Sequence, residues 1–109
     1  MIEINGHDIR LTRGDSLTVQ LELTTSENQP YIAKNGDVIK FGLKRMFQKD
    51  PIITKNIPTE TLILQLFPED TKSLRNGDYV YDVEITYGTG VIDTFINLAK
   101  FTLVDEVIV

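Results

Sequence analysis

Apolar and polar side chains alternate along most of this chain of 109 residues. The clearest run covers residues 17–24, where leucine or valine stands at every odd position and a polar residue at every even one. Because successive side chains of a strand point to opposite faces, this period of two predicts strands with one buried face. Further runs of the same kind lie at residues 39–44, 62–66, 79–86, 92–96 and 101–103. No segment keeps the 3.6-residue period of a helix, and only residues 68–71 suit a single helical turn.

Turn-forming residues separate these runs. They are of the types that tolerate turn backbone conformations, and they stand at Asn5-Gly6, Asn35-Gly36-Asp37, Asn76-Gly77 and Gly88-Thr89-Gly90. About seven to nine short strands with turns roughly every 8–12 residues form the pattern of a β-sandwich. We therefore predict a single all-β domain over residues 1–109 with an antiparallel sandwich fold. A closed barrel is the alternative, since alternation alone does not distinguish closure from stacking.

Two segments have the features of edge strands. Asp50-Pro51 interrupts the pattern, so residues 52–55 are predicted to form a short strand at a sheet edge. Residues 107–109 are all apolar and are predicted either to complete an edge strand or to pack on another protein.

One local motif favours the sandwich over the barrel. Leu74, Gly77-Asp78, Tyr79 and Tyr81 resemble the corner that precedes the sixth strand of immunoglobulin-type domains. In this interpretation the hydroxyl of Tyr79 bonds back across the corner, and Tyr81 takes the inward position that antibody domains give to a cysteine. The alternative is that both tyrosines are ordinary core aromatics. The predicted fold is thus an immunoglobulin-like sandwich.

The residue types leave little room for catalysis. The chain has no cysteine and a single histidine, His7, so the usual triads and multi-histidine metal sites cannot be assembled. Its carboxylates fall on the polar faces of predicted strands or at the start of the helical turn, where they have structural explanations. We expect no enzyme activity, no catalytic residues, no metal and no cofactor. No apolar block indicates a membrane helix or a signal peptide, so we expect synthesis and retention in the cytosol or assembly there into something larger.

Charge is distributed unevenly along the chain. The net charge is −5, which disfavours nucleic acid as a partner. Residues 34–55 contain six basic and two acidic residues, a local charge of +4, whereas residues 56–109 contain three basic and nine acidic ones, a local charge of −6. The two regions either pair inside the domain or present opposite charges to partners.

The basic residues point to one candidate contact region. Lys40 and Lys44 share the polar face of one predicted strand, which we expect to neighbour the strand that carries Asp82 and Glu84. Pairing between the two strands is one interpretation, because opposite charges directly across a sheet stabilise it. The other is that the loop at residues 46–50 docks on an acidic neighbour, which in a symmetric oligomer is a second copy of the chain. The candidate partner-contact residues are Lys44, Arg45, Phe47 and Lys49.

Several phrases together resemble a known family. They are DIRLTRGDS at residues 8–16, GDVIKF at 36–41, PEDTK at 68–72 and GDYVYDV at 77–83. This order is similar to small structural proteins of tailed phages and prophages of Gram-positive bacteria, in particular the immunoglobulin-like N-terminal domain of the baseplate upper protein. The resemblance implies a virion component, assembled in the bacterial host cytoplasm, that contacts other phage structural proteins and forms a homo-oligomer. It brings no catalytic residues.

A carbohydrate-binding module for host cell-surface sugars is the alternative function. Such sites present exposed aromatic rings, and the loop aromatics here are Tyr31, Phe47 and Tyr87. A groove that unites the three would favour sugar binding.

Overall fold

The computed structural model describes residues 2–25 and 27–105. Within them the chain forms eight strands and one short helix, α1 (Pro68–Thr71). The strands are β1 (Ile2–Asn5), β2 (Asp8–Thr12), β3 (Leu17–Gln20), β4 (Val38–Lys44), β5 (Ile53–Ile57), β6 (Ile63–Leu66), β7 (Gly77–Thr86) and β8 (Ile92–Val104). The strand count and the single helical turn agree with the sequence prediction. The prediction for residues 107–109 lies outside the described residues.

The strands form two sheets of different size. One sheet has six strands in the order β1-β2-β8-β7-β4-β5, and the other consists of β3 and β6. The chain passes between the sheets before and after β3 and again before and after β6. The predicted all-β, sandwich-like fold is therefore confirmed. β5 lies at an edge of the large sheet, as the interruption at residues 50–51 predicts.

One strand pair is not antiparallel, which corrects the prediction. β2 and β8 run parallel, with Leu11 opposite Leu103, whereas the other pairs are antiparallel. A parallel pair needs a long crossover connection, and here everything from β3 to β7 supplies it. Alternation could not reveal this, because the side-chain period is the same in both strand directions.

The core lies between the inner face of the large sheet and the two small strands. Alternate residues of β4, β7 and β8 point inward and are buried, and Phe41, Tyr81 and Phe101 are the largest of them. The ring of Phe41 lies 5.3 Å from that of Tyr81 and 6.4 Å from that of Phe101. These separations suit favourable aromatic pairs. Burying each such side chain contributes about 1.5–3 kcal/mol, so this cluster anchors the sheet to its partner.

β3 is shorter than the alternation predicts. The strand ends at Gln20, although Leu21 and Leu23 beyond it remain buried. Its partner β6 begins only at Ile63, because Leu62 turns the chain there with a φ of 56°. The N–H of Leu21 still donates to the carbonyl of Leu62 at 2.8 Å. The burial pattern therefore continues where the strand pairing has stopped.

The C-terminal region is one long bulged strand, which corrects the predicted pair of short strands. The register between β7 and β8 shifts on both sides of Val83. Leu98 has a φ of 51°, and its N–H donates to Oδ1 of Asp82 at 2.6 Å. An extra residue in one strand of a pair is a β-bulge, which bends the strand without ending it. Asp82 thus supports the bulge as well as facing outward.

The corner before β7 has the geometry of a tyrosine corner. The hydroxyl of Tyr79 donates to the carbonyl of Arg75 at 2.7 Å. Tyr81 points inward and is buried, and its hydroxyl donates to the carbonyl of His7 in the β1–β2 turn. Burial, reinforced by the charge of Asp8, raises the pKa of Tyr81 to about 12. The two tyrosines join the corner and the first hairpin to the core.

Candidate interaction surface

The outer face of the six-stranded sheet, which points away from β3 and β6, carries a groove. Gly42 of β4 lies opposite Thr54 of β5 on one side and Asp82 of β7 on the other. A groove of about 290 Å³ includes Gly42 in its lining, and a Cβ at this glycine would lie 3.6 Å from Cβ of Pro51. The residues that line this groove are Lys40, Phe41, Gly42, Lys44, Lys49, Pro51, Thr54, Val80, Asp82 and Glu84.

Two rows of opposite charge border the groove. The lysine row consists of Lys40 and Lys44 on β4, and the carboxylate row consists of Asp82 and Glu84 on β7. Lys40 and Glu84 are direct partners across the two strands. Within residues 2–25 and 27–105, however, no ion pair joins the rows; the pairs present are Arg13–Asp105 and Lys55–Asp70. The predicted pairing inside the domain is thus not made as direct ion pairs.

The β4–β5 loop presents an apolar tip beside the groove. Phe47 is 99% exposed, and the neighbouring Met46 is half exposed. The loop backbone is held in place nevertheless: the N–H of Gln48 donates to the carbonyl of Arg45 at 3.1 Å, and the N–H of Arg45 donates to the side-chain oxygen of Gln48 at 3.0 Å. Two neighbouring exposed apolar side chains next to charged positions make this loop a candidate contact site.

Arg45 is placed differently from the other three candidate contact residues. Its guanidinium lies 4.5 Å from the ring centroid of Tyr79 and donates to the hydroxyl of that tyrosine at 3.3 Å. Lys44 and Lys49 line the groove, and Phe47 forms the tip of the loop. The structure thus places Lys44 and Lys49 at the groove, leaves Phe47 exposed on the loop between them, and holds Arg45 against the corner.

Asp37 directly precedes β4, at the end of the strand away from the β4–β5 loop, and its carboxylate accepts hydrogen bonds from two other segments. Its Oδ2 accepts hydrogen bonds from the hydroxyl of Tyr31 at 2.6 Å and the N–H of Lys34 at 3.3 Å, and its Oδ1 accepts from the N–H of Gly88 at 3.0 Å. The hydrogen bond from Tyr31 is the main cause that lowers the pKa of Asp37. Burial, followed by the bond to Asp37, raises the pKa of Tyr31 to about 12. A Cβ at Gly88 would lie 2.8 Å from the carbonyl oxygen of Asn35, so only glycine allows the two loops to approach this closely.

The three loop aromatics do not share one groove. Tyr31 and Tyr87 line a groove of about 340 Å³ at the Asp37 end of the sheet. Tyr31 is itself buried, with its ring 5.4 Å from that of Phe95. Phe47 follows the other end of β4, about 20 Å away along the strand. Sugar-binding platforms need exposed aromatic faces side by side, and this arrangement separates them.

The described part of the chain has neither a metal cluster nor a membrane-spanning helix. None of its groups of histidine, aspartate and glutamate is large and close enough to hold a metal ion. None of its helices has the length and apolar character to cross a bilayer. The carbonyl of His7 accepts the hydroxyl of Tyr81, and Asp82 supports the bulge, so both residues have structural roles.

No protein-family model, curated protein or solved structure matches this chain. The fold therefore defines the class without them: an all-β domain with a sandwich-like pair of sheets and a tyrosine corner. On that fold the candidate contact surface is the outer face of the large sheet, with its groove and its two charged rows, together with the β4–β5 loop that carries Phe47.

Proposed function

We propose that this domain is a structural component of a tailed phage or prophage, in the tail, the baseplate or an adaptor between parts. It works through protein–protein contacts made by the outer face of the six-stranded sheet and the adjoining β4–β5 loop. The observation that carries this proposal is Phe47, an aromatic side chain held almost wholly in water on a loop with a hydrogen-bonded backbone.

The energetics of the surface suit an assembly contact. A partner that covers Phe47 removes its apolar surface from water, which contributes about 1.5–3 kcal/mol. The charged rows then select the partner, since unpaired lysines and carboxylates at a rim set orientation and specificity more than affinity. A fixed apolar anchor beside charged positions is the usual composition of a protein–protein contact.

The assignment to phages rests on the sequence resemblance. In its support, the resembling phrases coincide with the elements that build the fold. Residues 8–16 cover β2 and the turn toward β3, residues 36–41 enter β4, and residues 68–83 include α1, the tyrosine corner and the start of β7.

Incorporation into particles tests the proposal. Prophage induction in the source organism would be followed by gradient purification of the released particles and mass spectrometry of their proteins. We expect the chain in the particle fraction in a fixed ratio to other tail proteins. The F47S variant should fold normally and yet be lost from particles, because the contact loses its apolar anchor.

A second exposed apolar residue supplies the control. Ile32 is 75% exposed and lies near the Asp37 end, away from the β4–β5 loop. The I32S variant should therefore still enter particles. Recovery of the wild-type chain only from the soluble cell fraction would contradict the phage assignment, and equal loss of F47S and I32S would contradict the role of the loop.

A further inference from the structure

We infer that the outer face of the six-stranded sheet is a self-complementary interface that binds a second copy of this chain about a two-fold axis parallel to β4 and β7. The inference rests on the proposed contact function and names the partner and its orientation. It is carried by the arrangement of the lysine row and the carboxylate row.

The geometry selects one orientation of the two copies. The rows lie on neighbouring strands about 4.8 Å apart, with Lys40 level with Glu84. When a second copy faces the first, a rotation about an axis between β4 and β7 exchanges the rows laterally and keeps their level along the strands. Lys40 of each copy then faces Glu84 of the other. An axis across the strands would instead leave each row facing itself, lysine over lysine and carboxylate over carboxylate, which is repulsive.

The charges in these rows are available for such a contact. In the part of the chain that the structure describes, neither Lys40 nor Lys44 nor Glu84 takes part in an ion pair. The net charge of −5 makes two copies repel at long range, but charges more than about 8 Å apart are largely screened at physiological salt. The facing rows lie well within that distance, so their attraction dominates once the faces meet.

Apolar residues on the same face add to the complementarity. Val38 lies opposite Thr86, which in turn lies opposite Ile92 of β8. Both apolar side chains are exposed, Val38 by 43% and Ile92 by 61%. The same rotation brings Ile92 of one copy beside Val38 of the other. Apolar contact at one end of the charged rows is the mixture found in protein–protein interfaces.

Charge reversal provides a direct test by sedimentation equilibrium. We expect the wild-type chain to form dimers, and K40E and E84K each to weaken dimerisation by at least about 100-fold, since each places two pairs of like charges in contact. The K40E chain has carboxylates at both of these positions and the E84K chain has ammonium groups at both. An equimolar mixture of the two should therefore form dimers again, and so should the double variant K40E/E84K alone.

Variants away from the face control for net charge. Lys72 and Glu60 are exposed and lie outside the six-stranded sheet, so K72E and E60K change the net charge equally but should leave the dimer intact. Rising salt should weaken the wild-type dimer. A wild-type monomer at all concentrations, or no recovery in the mixture, would overturn the inference. Neither result would contradict the proposed contact with another phage protein, because the comparison of wild type and F47S in particles tests that proposal separately.

Discussion

The two faces of the six-stranded sheet are built by the same strands but have opposite properties. On the inner face, Phe41 and Tyr81 are buried with their rings 5.3 Å apart. On the outer face, Lys40 is adjacent to Phe41 and Glu84 comes three residues after Tyr81, and the two stand opposite each other without an ion pair. The comparison teaches that one face provides the stability of the fold, whereas the other leaves charged side chains and apolar groups such as Val38 and Ile92 exposed to solvent.

Substitution of Phe41 should have the largest effect on stability. F41A removes a buried ring from the aromatic cluster, and we expect the free energy of unfolding to fall by about 3–5 kcal/mol. The adjacent outer-face variant K40A should change it by no more than about 0.5 kcal/mol. Urea denaturation, in salt high enough to suppress self-association, measures both.

F41A can remove most of the stability that a small domain has, which is typically about 5–15 kcal/mol. F41L therefore serves as a second variant, with an expected loss of about 1–2 kcal/mol because most of the apolar volume remains. If K40A and F41L proved equally destabilising, the division between the two faces would be wrong.

Asp82 should be the exception on the outer face. Its carboxylate accepts the N–H of Leu98 in the bulge, whereas Glu84 has no hydrogen bond of this kind among the described residues. We expect D82A to lower the free energy of unfolding by about 1–2 kcal/mol, because a backbone donor loses its charged acceptor. E84A should change it by about 0.5 kcal/mol or less. Equal values from urea denaturation would show that the bulge does not depend on Asp82.

The hydroxyl of Tyr79 tests the corner that connects the two sheets. Y79F keeps the ring but removes the hydrogen bond to the carbonyl of Arg75 and the longer one from Arg45, so we expect a loss of about 1 kcal/mol. Tyr87 offers a matched control, since its hydroxyl makes no hydrogen bond within the described residues and Y87F should be neutral within about 0.5 kcal/mol. If Y79F lowered the free energy of unfolding no more than Y87F, the hydrogen bonds at the corner would not contribute to stability.

Local features of this fold could be predicted from the sequence, and distant ones could not. The strands follow from a two-residue period, and the corner follows from residues only four positions apart, Tyr79 and Arg75. The bond from Gly88 to Asp37 joins residues 51 positions apart, and the bulge at Leu98 depends on Asp82 in another strand. Such contacts join residues that are distant in sequence, so a local sequence pattern does not predict them.

The candidate surface was predictable only in part for the same reason. Lys44, Phe47 and Lys49 stood out as basic or aromatic residues near a turn, and the structure places the two lysines at the groove and leaves Phe47 exposed on the loop. Gly42 lines the groove next to Pro51, and a glycine within a strand indicates close approach or a gap without saying which. The position of Arg45 over Tyr79 depends on how β4 and β7 pair. The role of Lys44, Arg45, Phe47 and Lys49 in binding stays a prediction.

Acid should have the smallest effect, at the end of β4 opposite Phe47. Hydrogen bonding lowers the pKa of Asp37, so its contribution to stability is present above the unfolded pKa of about 3.9 and is lost as the pH falls through the folded value. The difference in urea midpoint between the wild type and D37N should therefore shrink from about pH 7 toward about pH 2. D50N, at an exposed loop aspartate, should track the wild type throughout. Because solvent screens Asp37, the effect should stay below that of Y79F. A difference that did not change with pH would mean that packing of Gly88 and Tyr31 holds the loops together, and that the negative charge of Asp37 does not contribute.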